Sequence, residues 1–248
     1  DGGTESLRAR VYDLSGKELG SVAVAYKSDF SAGARVEQDP ADWWANFVKA
    51  SRGAIAEARI DPSEIDAICY ATTCCSVVAL DRDGQALRPA LIWMDVRANE
   101  EADLVFATDD AALCLNGGGQ GPVSAEWMIP KALWLKRNEP DVFDKAYRIC
   151  EYQDYLTYHL TGEWAASLDN VGLRWHYRND AGGWPASLVT SLGLEALMEK
   201  WPTQVVAPGD VIGTLTQRAA DALGLRPSVK VVQGGADALI GMIGLGVA

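Results

Sequence analysis

The sequence predicts an α/β domain, and three observations support this prediction. Residues 7–14 alternate apolar and polar side chains, which is the period of a half-buried strand. Residues 39–59 repeat apolar side chains at helical spacing. Short apolar runs such as IDAICYA and SVKVVQ then alternate with helical stretches to the end of the chain. Strands interleaved with helices are typical of the α/β class.

The first third of the chain is predicted to contain strand, strand, helix, strand and hairpin in that order. The turn SGKELG separates the first strand from a second, SVAVAY, so an antiparallel meander is expected. The long helix has Asp39 as its N-cap and Pro40 at its first position. Its apolar face comprises Trp43, Phe47, Ala50 and Ile55. IDAICYA reads as a buried strand, and SVVALDRDGQALRPALIW reads as two strands around an RDGQ turn.

Helices are predicted to dominate after residue 94. They cover DVRANEEADLVFA, EWMIPKALWLKRN and EYQDYLTYHLTG, the last ending in a glycine suited to a C-cap. The segment NGGGQGP is expected to be a loop between the first two. Near the end, LTQRAADALGL predicts a helix, SVKVVQ a strand, and GGADALIGMIGLG the start of another helix. We therefore expect one domain with a helical insertion around residues 100–200.

Composition narrows the class of ligand. The 248 residues are 48% hydrophobic and carry a net charge of −12, which argues against nucleic acid or an anionic membrane as a partner and favours a small molecule. The five cysteines form no CxxC pair, and the two histidines lack metal-ligand spacing. With neither an apolar run of about twenty residues nor a secretory signal, we expect a cytoplasmic protein with reduced thiols.

The opening stretch DGGTESLRARVYD has two interpretations. Glycines and small polar residues before a strand form ordinary β-turns. The same turn can instead bind a phosphate through backbone N–H groups and the hydroxyls of Thr4 and Ser6, with Asp1 holding a hydrated Mg²⁺. Spacing alone leaves both interpretations open.

Asp237, in VVQGGADALIGMIGLG, also has two interpretations. It follows a strand and two glycines, in the expected first turn of a helix. Its carboxylate can be an N-cap, the usual role at such a position. It can also be a general base where glycines let a substrate approach closely. The GMIGLG segment is not a dinucleotide fingerprint, because its spacing differs from GxGxxG.

The two ends of the chain together resemble the FGGY family of carbohydrate kinases. DGGTESLRARVYD resembles that family's DxGTxSxR phosphate loop, and QGGADALIGMIGLG resembles its GGxD motif with the catalytic aspartate. LIWMDVRA resembles the family's W-x-D-x-R-A segment, and EYQDYLTYHLTGE its DYL…LTG helix. ATTCCSVVALD and VSAEWMIPKALWLKRN are most similar to pentulose kinases of the D-ribulokinase-like branch.

The resemblance implies an actin-like ATPase, ribonuclease H-like fold with a mixed sheet and a helical insertion. Family members are about twice this long, with a second domain that supplies the adenosine pocket. Residues 1–248 are therefore expected to be the N-terminal sugar-binding domain, without the C-terminal nucleotide-binding domain and without a first strand ahead of Asp1. Alone, this piece is expected to be inactive.

The resemblance also implies roles for the residues of the motifs. Asp237 takes the proton from the sugar hydroxyl, and ATP and Mg²⁺ are the cofactors. The γ-phosphate is held by Gly2, Gly3, Thr4 and Ser6, and Asp1 orients the metal ion. The sugar contacts are Thr72, Thr73, Cys74, Asp95, Arg174 and Asp237.

Several of these side chains have structural alternatives. Arg174 can be a surface cation packed on Trp175. Asp95 can form a structural ion pair with Arg97, and Cys74 can be a small buried apolar residue. Trp93, Trp127 and Trp134 can stack on a sugar, although tryptophans at helical spacing more often belong to the core.

The function expected from the resemblance is ATP-dependent phosphorylation of a ketopentose such as D-ribulose at a primary hydroxyl. L-ribulose, D-xylulose, a pentitol and glycerol remain open as acceptors. A non-catalytic sugar or nucleotide sensor on the same fold is a second hypothesis, and a nicotinamide dehydrogenase is disfavoured by the missing GxGxxG. The expected partners are a sugar and ATP, with the choice between monomer and homodimer open.

Overall fold

The computed structural model describes residues 1–115 and 121–247. Most of the predicted NGGGQGP loop lies outside the described residues. Strands β1 (Ser6–Tyr12) and β2 (Glu18–Ala25) pair antiparallel, as the alternation predicts. The Asp13 carboxylate accepts the Ser15 and Lys17 N–H groups at 2.8 and 3.1 Å, which fixes the turn between them.

Helix α1 (Pro40–Ala58) covers one face of this hairpin. Asp39 is its N-cap and accepts the Ala41 N–H at 2.9 Å, and Pro40 occupies the first turn, as predicted. The four residues expected on its apolar face are buried. Gly20 of β2 allows close packing, because a Cβ there would lie 2.4 Å from the Ala54 carbonyl oxygen.

A mixed three-stranded sheet carries the C-terminal part of the chain. Its order is β11 (Val211–Thr214), β12 (Lys230–Val232) and β5 (Ala67–Cys69), with β12 parallel to β5. Strands β1 and β5 both line a groove of about 1180 Å³ with mostly apolar walls. Asp1 and Asp237 are among the residues that line this groove.

A second, five-stranded sheet has the order β3 (Asp29–Ala32), β4 (Arg35–Gln38), β7 (Ala90–Leu91), β6 (Val77–Leu80) and β8 (Arg148–Glu151). The sequence patterns did not predict the β3–β4 hairpin or β8. The RDGQ turn forms as predicted, but the strand after it is short, since only Leu87 and the Leu80–Ala86 bridge continue the pairing before β7.

Helices make up most of the insertion, as predicted. They are α2 (Asn99–Phe106), α3 (Met128–Asn138), α4 (Pro140–Lys145), α5 (Tyr152–Thr161), α6 (Leu168–Arg174), α7 (Ala186–Ser191) and α8 (Glu195–Lys200). A parallel pair, β9 (Ala165–Ser167) and β10 (Gln204–Val206), lies among them. Gly162 ends α5 with a φ of 77°, the left-handed cap that the sequence predicts.

Helices α9 (Gln217–Leu223) and α10 (Asp237–Gly244) complete the chain. Glu151, the first residue of the predicted helix EYQDYLTYHLTG, is instead the last residue of β8 and the N-cap of α5. Within the described ranges, no helix has the length and apolar character needed to cross a bilayer. The mixed α/β architecture with a helical insertion agrees with the predicted fold.

Candidate functional site

The opening turn lies beside the loop that follows β5. The Gly2 N–H donates to the Ala71 carbonyl at 2.8 Å, and the Thr73 N–H donates to the Gly2 carbonyl at 3.0 Å. A Cβ at Gly2 would lie 2.7 Å from the Tyr152 ring, so the space requires glycine at this position. The phosphate-loop candidate and the sugar-loop candidate therefore form one surface.

The same loop holds the Asp237 segment on its other side. The Thr72 N–H donates to the Gly235 carbonyl at 3.2 Å, and the Asp237 N–H donates to the Thr72 carbonyl at 2.8 Å. Gly234 is in close contact as well, since a Cβ there would lie 1.8 Å from the Tyr70 carbonyl oxygen. Three segments that are far apart in sequence thus meet through backbone hydrogen bonds.

The backbone hydrogen bonds of the opening turn do not fit the roles that the resemblance implies for Gly2 and Gly3. Those of Gly2 and Gly3 are occupied, the second by the Ser6 carbonyl at 3.1 Å. The Thr4 and Glu5 N–H groups donate to no residue within 1–115 or 121–247. Any phosphate bound by this turn would therefore find free donors at Thr4 and Glu5 rather than at the two glycines.

Trp93 orients the Thr4 side chain. Its indole Nε1–H donates to the Thr4 Oγ1 at 2.9 Å, and the ring remains 38% exposed. A hydroxyl that accepts a hydrogen bond keeps its own proton for a different acceptor. Trp93 is therefore not a core residue, and the sequence did not indicate this hydrogen bond.

Asp1 presents a single carboxylate beside the turn. Its Oδ2 lies 3.0 Å from the Arg8 Nη1, and its side chain is 43% exposed. No group of three or more potential metal-ligating side chains occurs in the part of the chain that the structure describes. A lone carboxylate fits Mg²⁺ that is carried mainly by water and nucleotide phosphates, and it does not fit an all-protein cage.

Asp237 occupies the first helical position of α10, one residue beyond the N-cap, so the N-cap interpretation is wrong in detail. The N-cap is Ala236, which has no side chain to accept a hydrogen bond. The Asp237 Oδ1 accepts the Ala238 N–H at 2.7 Å, while its second oxygen bonds to none of the described residues. That oxygen is available to accept a proton.

The loop after β5 contains little free polar surface. The Thr72 side chain is fully buried, and the Thr73 Oγ1 lies 3.1 Å from the Ser76 Oγ. Cys75 adopts a left-handed φ of 62° and is buried, whereas Cys74 is only half-buried. Of the predicted sugar contacts in this loop, Cys74 is the more accessible and Thr72 is enclosed.

Asp95 lies away from solvent in an ion pair. Its side chain is fully buried, and its Oδ2 lies 2.6 Å from the Arg97 Nη2 and 2.7 Å from the Val36 nitrogen. Glu37 pairs with the same guanidinium at 2.6 Å. These contacts agree with the structural alternative for Asp95, and they leave it no surface for a sugar.

Arg174 has a guanidinium with unused donors. It lies 5.1 Å above the Trp127 ring, and it makes neither a hydrogen bond nor an ion pair with the described residues. Its aromatic neighbour is therefore Trp127 rather than the expected Trp175, which is fully buried. Stacking of this kind holds the cation in place while its N–H groups stay available.

Two buried ionisable residues support the site and were missed by sequence reasoning. The Lys131 Nζ donates to the carbonyls of Cys75 and Ile92 at 2.7 Å each, and burial lowers its pKa to about 8. Glu151 accepts the Trp175 Nε1–H at 2.7 Å, and burial raises its pKa to about 7. The only signal in the sequence was a lysine inside the apolar run WMIPKALWL.

The chain matches one known family of proteins over nearly its whole length. Residues 1–244 match the model of the FGGY family of carbohydrate kinases, N-terminal domain. An autoinducer-2 kinase of Klebsiella pneumoniae is 32% identical over the whole chain and 46% of its own length. An FGGY carbohydrate kinase domain-containing protein of Homo sapiens is 32% identical over 99% of this chain and 46% of its own length.

Solved structures share the fold. A xylulose kinase from Lactobacillus acidophilus superposes with a TM-score of 0.87 over 99% of this chain and 49% of its own, at 22% identity. A xyloylose kinase from Brucella ovis superposes with a TM-score of 0.82 over 96% of this chain and 48% of its own, at 28% identity. The chain spans about half the length of the relatives it matches. The expected actin-like fold is confirmed, and the chain belongs to the FGGY family of carbohydrate kinases.

Proposed function

We propose that this chain is the sugar-binding half of an ATP-dependent kinase that phosphorylates a ketopentose such as D-ribulose at a primary hydroxyl. The observation that carries the proposal is the convergence of Asp237, Thr72 and Gly2 through backbone hydrogen bonds. A free carboxylate oxygen and a turn with two free N–H groups then face the same loop. Phosphoryl transfer needs a base and a phosphate cradle held at fixed positions, because positioning and charge stabilisation supply most of the catalysis.

Asp237 acts as the base in this proposal. Its unbonded oxygen takes the proton of the sugar hydroxyl as that oxygen forms a bond to the γ-phosphorus of ATP, and ADP leaves with the electrons of the broken P–O bond. The neighbouring glycines let the Asp237 segment pack closely against the Tyr70 carbonyl and Asp169, which fixes the position of the base. General-base assistance contributes about 10² to 10⁴ in rate.

The opening turn holds the transferred phosphate. The free N–H groups of Thr4 and Glu5 and the Thr4 hydroxyl, oriented by Trp93, are the donors. Asp1 would hold Mg²⁺ through water, and the ion would neutralise charge on the nucleotide phosphates. Gly2 and Gly3 contribute close packing, and Ser6 begins the strand that fixes the turn.

The sugar lies against Thr73, Cys74 and Arg174, with the Arg174 guanidinium donating to sugar oxygens. Asp95 supports this region as an ion-pair partner of Arg97 rather than as a sugar contact. The relatives include proteins named xylulose kinase and autoinducer-2 kinase. D-xylulose, L-ribulose, a pentitol and glycerol are the alternatives to D-ribulose.

The test is ADP production by the whole protein that contains this chain, with ATP, Mg²⁺ and a panel of sugars and polyols. We expect the highest kcat/KM with D-ribulose and a 5-phosphate product. Asp237→Asn should bind the sugar normally and lose about 10² to 10⁴ in kcat. No sugar-dependent ADP with any acceptor, despite measurable sugar binding, would contradict a kinase and support a sensor.

A further inference from the structure

The helix that begins at Asp237 has an unusual beginning. Serine, threonine, aspartate and asparagine are preferred at the N-cap because their side chains accept a backbone N–H group. Helix α10 has Ala236 there instead, and Ala236 is only 2% exposed. Its N–H donates to a residue from another helix, since the Asp169 Oδ2 lies 2.9 Å from the Ala236 nitrogen.

Gly235 makes room for this carboxylate. A Cβ on Gly235 would lie 2.4 Å from the Asp169 Oδ2 and 3.1 Å from the Asp169 Cβ and Cγ. The φ of Gly235 is outside the left-handed range, so its backbone conformation does not itself demand glycine. The need for glycine at residue 235 is therefore the approach of Asp169.

Two consecutive N–H groups next to the proposed base are thus fixed by different parts of the fold. Asp169 of α6 accepts the Ala236 N–H, and the Thr72 carbonyl accepts the Asp237 N–H at 2.8 Å. Without the first acceptor, a buried N–H group would lack a partner, and such a group costs enough free energy to shift the backbone that carries it.

We propose that Asp169 is a positioning residue that holds the Asp237 carboxylate in its productive place by accepting the Ala236 N–H. The inference rests on the proposed function, in which Asp237 takes the proton of the sugar hydroxyl. Helix α6 carries Asp169 near its start and Arg174 at its end, about 7.5 Å apart along the axis at the usual helical rise. The base and the proposed sugar contact are therefore fixed by the same helix.

The test compares two substitutions at residue 169 in the whole protein. Asp169→Ala removes the acceptor, and it should lower kcat about tenfold or more with the sugar KM within about twofold, because a misplacement of 1 Å can cost 10² in rate. Asp169→Asn keeps a side-chain oxygen for the same N–H and should retain most of kcat. Equal losses in both variants would overturn the proposal, since the charge rather than the hydrogen bond would then matter.

Thr216→Ala is the matched control. The Thr216 Oγ1 caps α9 by accepting the Ala219 N–H at 3.1 Å, and the Thr216 N–H donates to the Leu160 carbonyl rather than to a site segment. Its loss should lower the melting temperature and leave kcat unchanged. The proposal is overturned if Thr216→Ala and Asp169→Ala lose equal kcat at equal losses of melting temperature. Asp169 would then be a structural cap only.

Gly235→Ala gives an independent route if Asp169→Ala does not fold. Its methyl group should displace Asp169 and reproduce the loss of kcat. Where both single variants fold, the double variant should be no worse than the more impaired one, because both remove the same interaction. Additive losses would overturn the proposal. Normal kcat in Asp169→Ala beside an inactive Asp237→Asn would refute the role of Asp169 alone, whereas normal kcat in Asp237→Asn would refute the proposed base.

Discussion

Replacing Lys131 with methionine is expected to weaken both the fold and the loop after β5 that we propose binds the sugar. The Nζ donates to the Cys75 and Ile92 carbonyls at 2.7 Å and to the Leu91 carbonyl at 3.2 Å. The Ile92 carbonyl keeps a second donor, the Asp95 N–H at 2.9 Å. Of the three carbonyls, that of Cys75 is the one most at risk of losing its hydrogen-bond partner. Cys75 is also the residue of this loop that has a left-handed φ.

The magnitude follows from these contacts. One unpartnered buried carbonyl costs about 1 to 3 kcal/mol, and each of the two further bonds contributes about 0.5 to 1.5 kcal/mol. Removing a buried ammonium group offsets part of this loss, because its desolvation is itself unfavourable. We expect Lys131→Met to lower the free energy of unfolding by about 2 to 4 kcal/mol.

Urea unfolding of the whole protein measures this change, and titration with the preferred sugar measures the loop. The control is Arg148→Met, which removes another buried cation that bonds to carbonyls, those of Tyr147 and Glu199, away from the site. Both variants should unfold at lower urea, and only Lys131→Met should lose sugar affinity. An unchanged unfolding midpoint for Lys131→Met, or equal loss of affinity in the control, would refute the reasoning.

Two further predictions concern charge and the phosphate turn. The pKa of Glu151 is raised to about 7 by burial, so its contribution to stability is complete below pH 4.5 and is lost as pH rises through 7. In melting curves recorded from pH 4.5 to 7.5, Glu151→Gln should reduce the fall of the melting temperature with rising pH. The exposed control Glu195→Gln should leave that fall unchanged. Thr4→Val should raise the ATP KM by about tenfold through loss of one hydroxyl donor to a charged group, leaving sugar affinity unchanged; an unaltered ATP KM would contradict the phosphate role.

Local patterns in the sequence predicted the elements whose signals are local. The alternation of β1, the Asp39 cap of α1 and the glycine that ends α5 all depend on neighbours within a few residues, and each was confirmed. Strand β8 was missed because Arg148 and Glu151 at its ends are charged, which leaves an apolar run of only two residues. The β3–β4 hairpin is short and lacks a strong apolar period.

Support of the site could not be predicted, because its contacts are long-range. Asp169 reads as an ordinary acidic residue in the first turn of a helix, and nothing nearby in sequence indicates its bond to Ala236. The same holds for Lys131 and the Cys75 carbonyl. Even for Asp237, which was correctly placed in a first turn, the N-cap interpretation is wrong by one helical position.

The single-residue bridges that join Gly2 to Thr72 and Thr72 to Ala236 also bear on how the protein folds. Each bridge closes a long loop of chain for very few hydrogen bonds, so the entropy of closure must be offset by packing elsewhere before the bridge can persist. The β1–β2–α1 unit is built from local contacts and can form early. We therefore expect the surface that joins these segments to form late in folding, so that an incompletely folded chain lacks the proposed site for sugar and phosphate.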